Sequence, residues 1–108
     1  MVKEIDVQAL QARRAEGDDF LLLDIRGGGE LSHGMLPDAQ HIPMHLIPAR
    51  IHDLPRDRDV VLYCHSGARS YHACSYLKQQ GFDNAVNLRG GILAWARSGY
   101  PLEGRQVG

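Results

Sequence analysis

Asp59-Val60-Val61-Leu62-Tyr63, followed by Cys64-His65-Ser66-Gly67-Ala68-Arg69 and then Ser70 to Gln80, is the stretch that decides the fold. The first five residues form a short, nearly continuous apolar run, the pattern of a strand covered on both faces. The next six have no periodicity and contain a glycine, so they read as a loop. From Ser70 the spacing predicts a helix to Gln80, with Ala73, Cys74 and Leu77 on one stripe. Gly81 supplies its stop, and Phe82 is placed to fold back on Leu77 in a Schellman cap.

Working outward, Phe20-Leu21-Leu22-Leu23-Asp24-Ile25 and Ala85-Val86-Asn87-Leu88 read as two more buried strands. Asp6 is placed to cap a first helix through Val7, Leu10 and Arg14, stopped at Gly17. Arg26-Gly27-Gly28-Gly29 breaks the chain before a short helical turn from Glu30 to His33, and Pro37-Asp38 reads as a turn. Ile42-Pro43 is expected to be a brief edge strand, and Leu46 to His52 a short helix stopped near Pro55. Gly90-Gly91 leads into a last helix carrying Ile92, Leu93 and Trp95, ended by Gly99 and Pro101. A polar, mobile tail is expected from Glu103. Strands alternating with helices imply an α/β fold, a parallel sheet with helices on both faces. Ligands of such sheets bind beyond the carboxyl ends of the strands, which sets Asp24 and Cys64 on one edge.

The chain has 108 residues, so a single domain over 1–108 is expected. A net charge of -1 leaves no electrostatic footprint for nucleic acid or an anionic membrane surface. The longest apolar run, Phe20 to Leu23, is far too short to cross a bilayer. The opening residues lack the pattern of a secretory signal, and the expectation is a reducing, cytoplasmic compartment. Cys64 and Cys74 are then judged by reactivity and burial rather than as a disulfide.

Cys64 stands where a strand stops and a glycine-containing loop turns into a helix. Free amides and the positive end of the helix dipole gather there, forming a nest that favours an anion. Thiols so placed fall from about 8.5 into a range of roughly 3.5 to 7.5. Arg69, a cation in the first helical turn, opposes the dipole unless an anion meets it. Asp24 is one candidate carboxylate, and a bound anionic substrate is the other.

The loop Cys64-His65-Ser66-Gly67-Ala68-Arg69-Ser70 resembles the active-site loop of rhodanese-like domains, C-R-S-G-x-R-S. Leu23-Asp24-Ile25-Arg26 matches that family's L-D-V-R, with Glu30 at its following acidic position. Gly34-Met35-Leu36-Pro37-Asp38-Ala39 and His41-Ile42-Pro43 match G-H-I-P-G-A and N-I-P. Gly81-Phe82, Asn87-Leu88-Arg89-Gly90-Gly91-Ile92 and Ala94-Trp95 complete the set in order. The resemblance implies a rhodanese-like fold and a sulfurtransferase. Cys64 would take the outer sulfur of a donor such as thiosulfate or a persulfide, hold it as a persulfide, and pass it to cyanide or a thiol. It further implies that residues His65, Ser66, Gly67, Ala68 and Arg69 cradle the substrate. No cofactor is called for. A protein acceptor, such as a thioredoxin-like protein, is a further candidate partner.

Asp24, Arg26 and Ser70 read as supports that order the loop. The family's Arg after the cysteine is His65 here, and histidine is only partly charged at neutral pH, which weakens attraction for a dianion. An exposed loop residue is the other reading of His65. Met35 replaces the family's His, and the three glycines from Gly27 form a flexible turn without a phosphate-binding fingerprint. Cys74 and Trp95 are read as core. His41 and His45 are four apart, but Pro43 lies between them and no metal site is expected. Two other functions compete. Cysteine phosphatases and arsenate reductases of related fold carry five residues between cysteine and arginine; four separate Cys64 from Arg69. Non-catalytic rhodanese-like binding modules generally lose the cysteine, which this chain keeps.

Overall fold

The computed structural model describes residues 1–104. Five strands, β1 (Lys3–Ile5), β2 (Phe20–Asp24), β3 (Gln40–His41), β4 (Asp59–Tyr63) and β5 (Ala85–Leu88), form one sheet in the order β1-β5-β4-β2-β3. Every neighbouring pair is parallel. The helices are α1 (Val7–Ala15), the short α2 (Ile47–Arg50), α3 (Ala68–Gln79) and α4 (Gly91–Arg97).

Alternation along the strands builds two cores. Leu21, Leu23, Val60, Leu62 and Ala85 face Ala73, Cys74 and Leu77 of α3 and Ile47 of α2. Leu22, Val61, Tyr63, Val86 and Leu88 face Val7 and Leu10 of α1 and Ile92 and Trp95 of α4. A strand buried on both faces has no polar side to show, which is why β2 and β4 read as unbroken apolar runs.

The caps fall where the side chains demand them. Asp6 accepts the Ala9 amide at 2.8 Å and starts α1. At the end of α3, Phe82 N–H donates to the Leu77 carbonyl at 2.9 Å and Gly81 N–H to Lys78 at 3.0 Å, the Schellman pattern. Trp95 is fully buried, its Nε1–H donating to the Pro101 carbonyl at 2.8 Å.

Five points of the sequence reading are corrected. β1 has no counterpart in the sequence reading: three residues with one half-buried side chain give no apolar run. The edge strand lies at Gln40–His41, not Ile42-Pro43; Pro43 lacks the N–H a ladder needs. The Leu46–His52 segment is helical but divided, α2 lying between 3₁₀ turns at Met44–Leu46 and Ile51–Asp53. Helix α3 begins at Ala68, two residues early, because Gly67 adopts a left-handed φ of 99° and turns the chain sharply. Glu103, expected in a mobile tail, pairs with Met35 through two backbone hydrogen bonds of 2.8 Å. The rest of that tail, 105–108, lies outside the described residues.

Candidate active site

Cys64 follows the last residue of β4 and is buried, at 1% exposure. The amide of Gly67 donates to its Sγ at 3.1 Å, and the Ser70 hydroxyl stands 3.4 Å away. The loop is held in this posture from below. Ile92 and Leu93, at the start of α4, donate to the carbonyls of Cys64 and His65, each at 3.0 Å. With those carbonyls drawn down onto α4, the loop amides are turned toward the sulfur.

Burial pushes the Cys64 thiol up, but the Ser70 hydroxyl and the amides of Ser70, Gly67 and Ser66 outweigh it, and the net shift is downward. Cys74 is the control within the same core. Burial, helped by the negative charge of Glu4, pushes its thiol up to about 12, so it is protonated and inert at neutral pH.

Two glycines make the close packing possible. A Cβ on Gly67 would lie 3.1 Å from the Gly90 amide nitrogen, and one on Gly91 would lie 2.5 Å from the carbonyl oxygens of both Cys64 and His65. Gly91→Ala is therefore expected to cost about 2 kcal/mol or more, since the clash is with backbone that cannot move aside. It should slow alkylation of Cys64 by iodoacetamide on the order of tenfold, by spoiling the amide nest. Rates at wild-type level in a folded variant would show that the loop tolerates displacement.

Arg69 meets a carboxylate, but it is Glu30 and not Asp24. Its two terminal nitrogens reach the two oxygens of Glu30 at 2.8 Å each, a bidentate pair across the mouth of the loop. The Arg69 hydrogen bonds, together with the Gly27 amide and nearby positive charge, hold Glu30 at about 2 against some burial, so the clamp stays ionised at neutral pH. Glu30 was noted only as a motif match; the signal that pointed to it was the demand of a first-turn cation for an anion.

Asp24 and Arg26 sit deeper. The Asp24 carboxylate is fully buried and accepts Arg26 Nη2 at 2.8 Å, Arg26 Nε, the Arg26 amide and the Tyr63 hydroxyl at 2.7 Å. Arg26 also donates to the carbonyls of Gly34, at 2.7 Å, and Glu30, at 3.3 Å. The structure thus connects Asp24 to the cysteine loop only in steps. Asp24 fixes Arg26, Arg26 pins the 3₁₀ turn Gly28–His33, and that turn presents Glu30 to Arg69.

His65, Ser66, Ala68 and Arg69 are exposed, while Gly67 and Ser70 are buried. Ser70 contacts both Cys64 and Asn87, which places Asn87, quoted in the sequence only within a strand and a motif match, against the cysteine loop. His41 Nε2 is 2.7 Å from the Arg26 carbonyl oxygen, which ties it to the loop after β2.

A parallel sheet carries a buried, amide-cradled cysteine at the carboxyl end of its central strand, and this defines an α/β protein with a candidate site on that edge. Residues 6–98 match the rhodanese-like domain model, and the chain belongs to that family. It is 59% identical over 102 residues to a sulfurtransferase of Allochromatium vinosum, spanning 94% of this chain and 95% of that one. A thiosulfate sulfurtransferase of Pseudomonas syringae is 33% identical over 101 residues, spanning 94% and 92%. Among solved structures, a rhodanese-like domain protein from Staphylococcus aureus superposes with a TM-score of 0.86 at 31% identity, covering 97% of this chain and all of that one. By class the chain is a rhodanese-type sulfurtransferase.

Proposed function

We propose that the protein moves sulfane sulfur through a persulfide on Cys64, acting as a single domain in the reducing cytoplasm. The observation that carries this is the amide-cradled Cys64 Sγ, a thiol shifted downward in spite of burial while Cys74 is shifted up. The Cys64 thiolate attacks the outer sulfur of thiosulfate; the S–S bond breaks and its electron pair leaves on sulfite. Cys64 now carries S–S⁻, which the loop amides hold as they held the thiolate. Cyanide or a thiolate then attacks the outer sulfur, and the electron pair returns to Cys64. A persulfide donor enters by the same step with a thiolate as leaving group, and a protein thiol of the thioredoxin-like kind suits the acceptor role. Among the described residues no helix is long and apolar enough to cross a membrane.

Donor preference follows from charge. Arg69 is engaged by Glu30, and the residue after the cysteine is His65 rather than arginine. Charge complementarity for a dianion is therefore incomplete at the loop. His65→Arg is expected to raise kcat/KM for thiosulfate about tenfold, with a smaller gain for a monoanionic persulfide. Thiocyanate formation with each donor, in the presence of cyanide, provides the measurement. Absence of thiocyanate from either donor would rule out the sulfurtransfer reading, and equal gains for both would rule out the charge argument.

A further inference from the structure

Behind Ser70 the hydrogen bonds continue through the sheet, in a chain that the sulfur-transfer steps do not use. Asn87, at 1% exposure on β5, donates through Nδ2 to a Glu4 carboxylate oxygen at 2.9 Å and to the Gly67 carbonyl at 3.2 Å. Both partners are pure acceptors, so the amide nitrogen must face them and the amide oxygen must face Ser70. Glu4 sits directly opposite Asn87 in the parallel β1–β5 register, which fixes the first of those bonds.

The Asn87 oxygen cannot donate, so its 2.5 Å contact with Ser70 is made with the only proton the hydroxyl has. The same hydroxyl stands 3.4 Å from Cys64 Sγ. One proton serves two acceptors, and the shorter contact draws it toward Asn87 and weakens its donation to sulfur. Turning the proton to sulfur would strip a buried carbonyl oxygen of its partner.

We propose that Asn87 is a positioning residue: held by Glu4, it competes with Cys64 for the Ser70 proton and weakens the hydroxyl's donation to sulfur. The hydroxyl then stabilises the thiolate less than an unclaimed one would, and more of that work falls to the loop amides. Asn87 sets how readily the nucleophile ionises without touching substrate.

The proposal rests on Cys64 being the reacting thiol. Its test reads ionisation rather than sulfur transfer, so failure of one is distinct from failure of the other. Thiolate absorbance in the ultraviolet is followed against pH, with Cys64→Ser as the blank; Cys74, pushed up to about 12, stays silent. The charged or titratable groups around Cys64 are the Arg69–Glu30 pair at the mouth, His65 beside it in the loop and Glu4 behind Asn87. Asn87→Leu and the less bulky Asn87→Ala free the hydroxyl, while Gly67 keeps the Tyr71 amide on its carbonyl. Each is expected to lower the Cys64 midpoint by about one unit, roughly ten times more thiolate below the midpoint. In a Ser70→Ala background the same changes are expected to give no shift.

Glu4→Gln removes the charge while keeping an acceptor, and should move the midpoint by less than a third as much. Glu4→Ala, a change at an exposed residue, releases the amide to turn and should lower the midpoint relative to Glu4→Gln. An unmoved midpoint on loss of the Asn87 anchor would overturn the proposal. So would a shift that survives in Ser70→Ala, or a Glu4→Gln shift as large as that of Asn87→Leu.

Discussion

Cys64→Ser is expected to lower thiocyanate formation on the order of 10⁴-fold or more, with either sulfur donor. Serine keeps the size and the contact with the Gly67 amide but is neither ionised nor thiophilic at neutral pH. Folding should change little, because the loop is held by backbone bonds from Ile92 and Leu93 that the substitution leaves in place. Cys74→Ser provides the comparison. That thiol is buried against Ala73 and Leu77 on the α3 stripe and pushed up to about 12, so its loss should leave activity within about twofold. Steady-state rates of the two variants decide the matter. A Cys74 variant as inactive as the Cys64 variant would mean that both thiols take part in turnover.

The second large effect is on stability. Asp24→Ala removes one carboxylate that holds Arg26, the Arg26 amide and the Tyr63 hydroxyl at once, all of them buried. An arginine at 3% exposure is left without its counter-ion, which costs about 3–5 kcal/mol. Against a total of roughly 5–15 kcal/mol for a domain, that is a large share. The urea midpoint should fall accordingly, and sulfur transfer should fall in the folded fraction, because the 3₁₀ turn that presents Glu30 hangs on Arg26. Asp24→Asn, which keeps an acceptor for Tyr63, should fall between Asp24→Ala and wild type. Equal stability of all three would show that the buried pair is neutral to the fold.

The sequence reading reached furthest where one side chain or one periodicity decided the outcome. β4 and β5 were legible to the residue because both their faces are covered and most of their residues are apolar. Asp6 and Gly81 were legible because caps act locally. β1 was not, since Lys3 and Glu4 are exposed and the strand exists by pairing with β5 across most of the chain. At the site, the placing of the cysteine and its loop between a strand and a helix was readable from order alone, though not the helix's first residue. The partner of Arg69 was not: Asp24 lies nearer the end of its strand, but Arg26 and Tyr63 already claim it, and only the fold of the Gly28–His33 turn brings Glu30 across. Asn87 entered only as part of a strand and a motif match, with no role attached. Its role depends on facing Ser70 and Glu4, which are far from it in sequence.

The central claim is that Cys64 carries the sulfur, and intact mass tests it most directly. Reduced protein is exposed to thiosulfate, and in parallel to glutathione persulfide, then weighed before and after cyanide, with Cys64→Ser alongside. The account predicts a gain of one sulfur atom on the wild type that cyanide removes, and none on the variant. No gain with either donor, or an equal gain on Cys64→Ser, would contradict it.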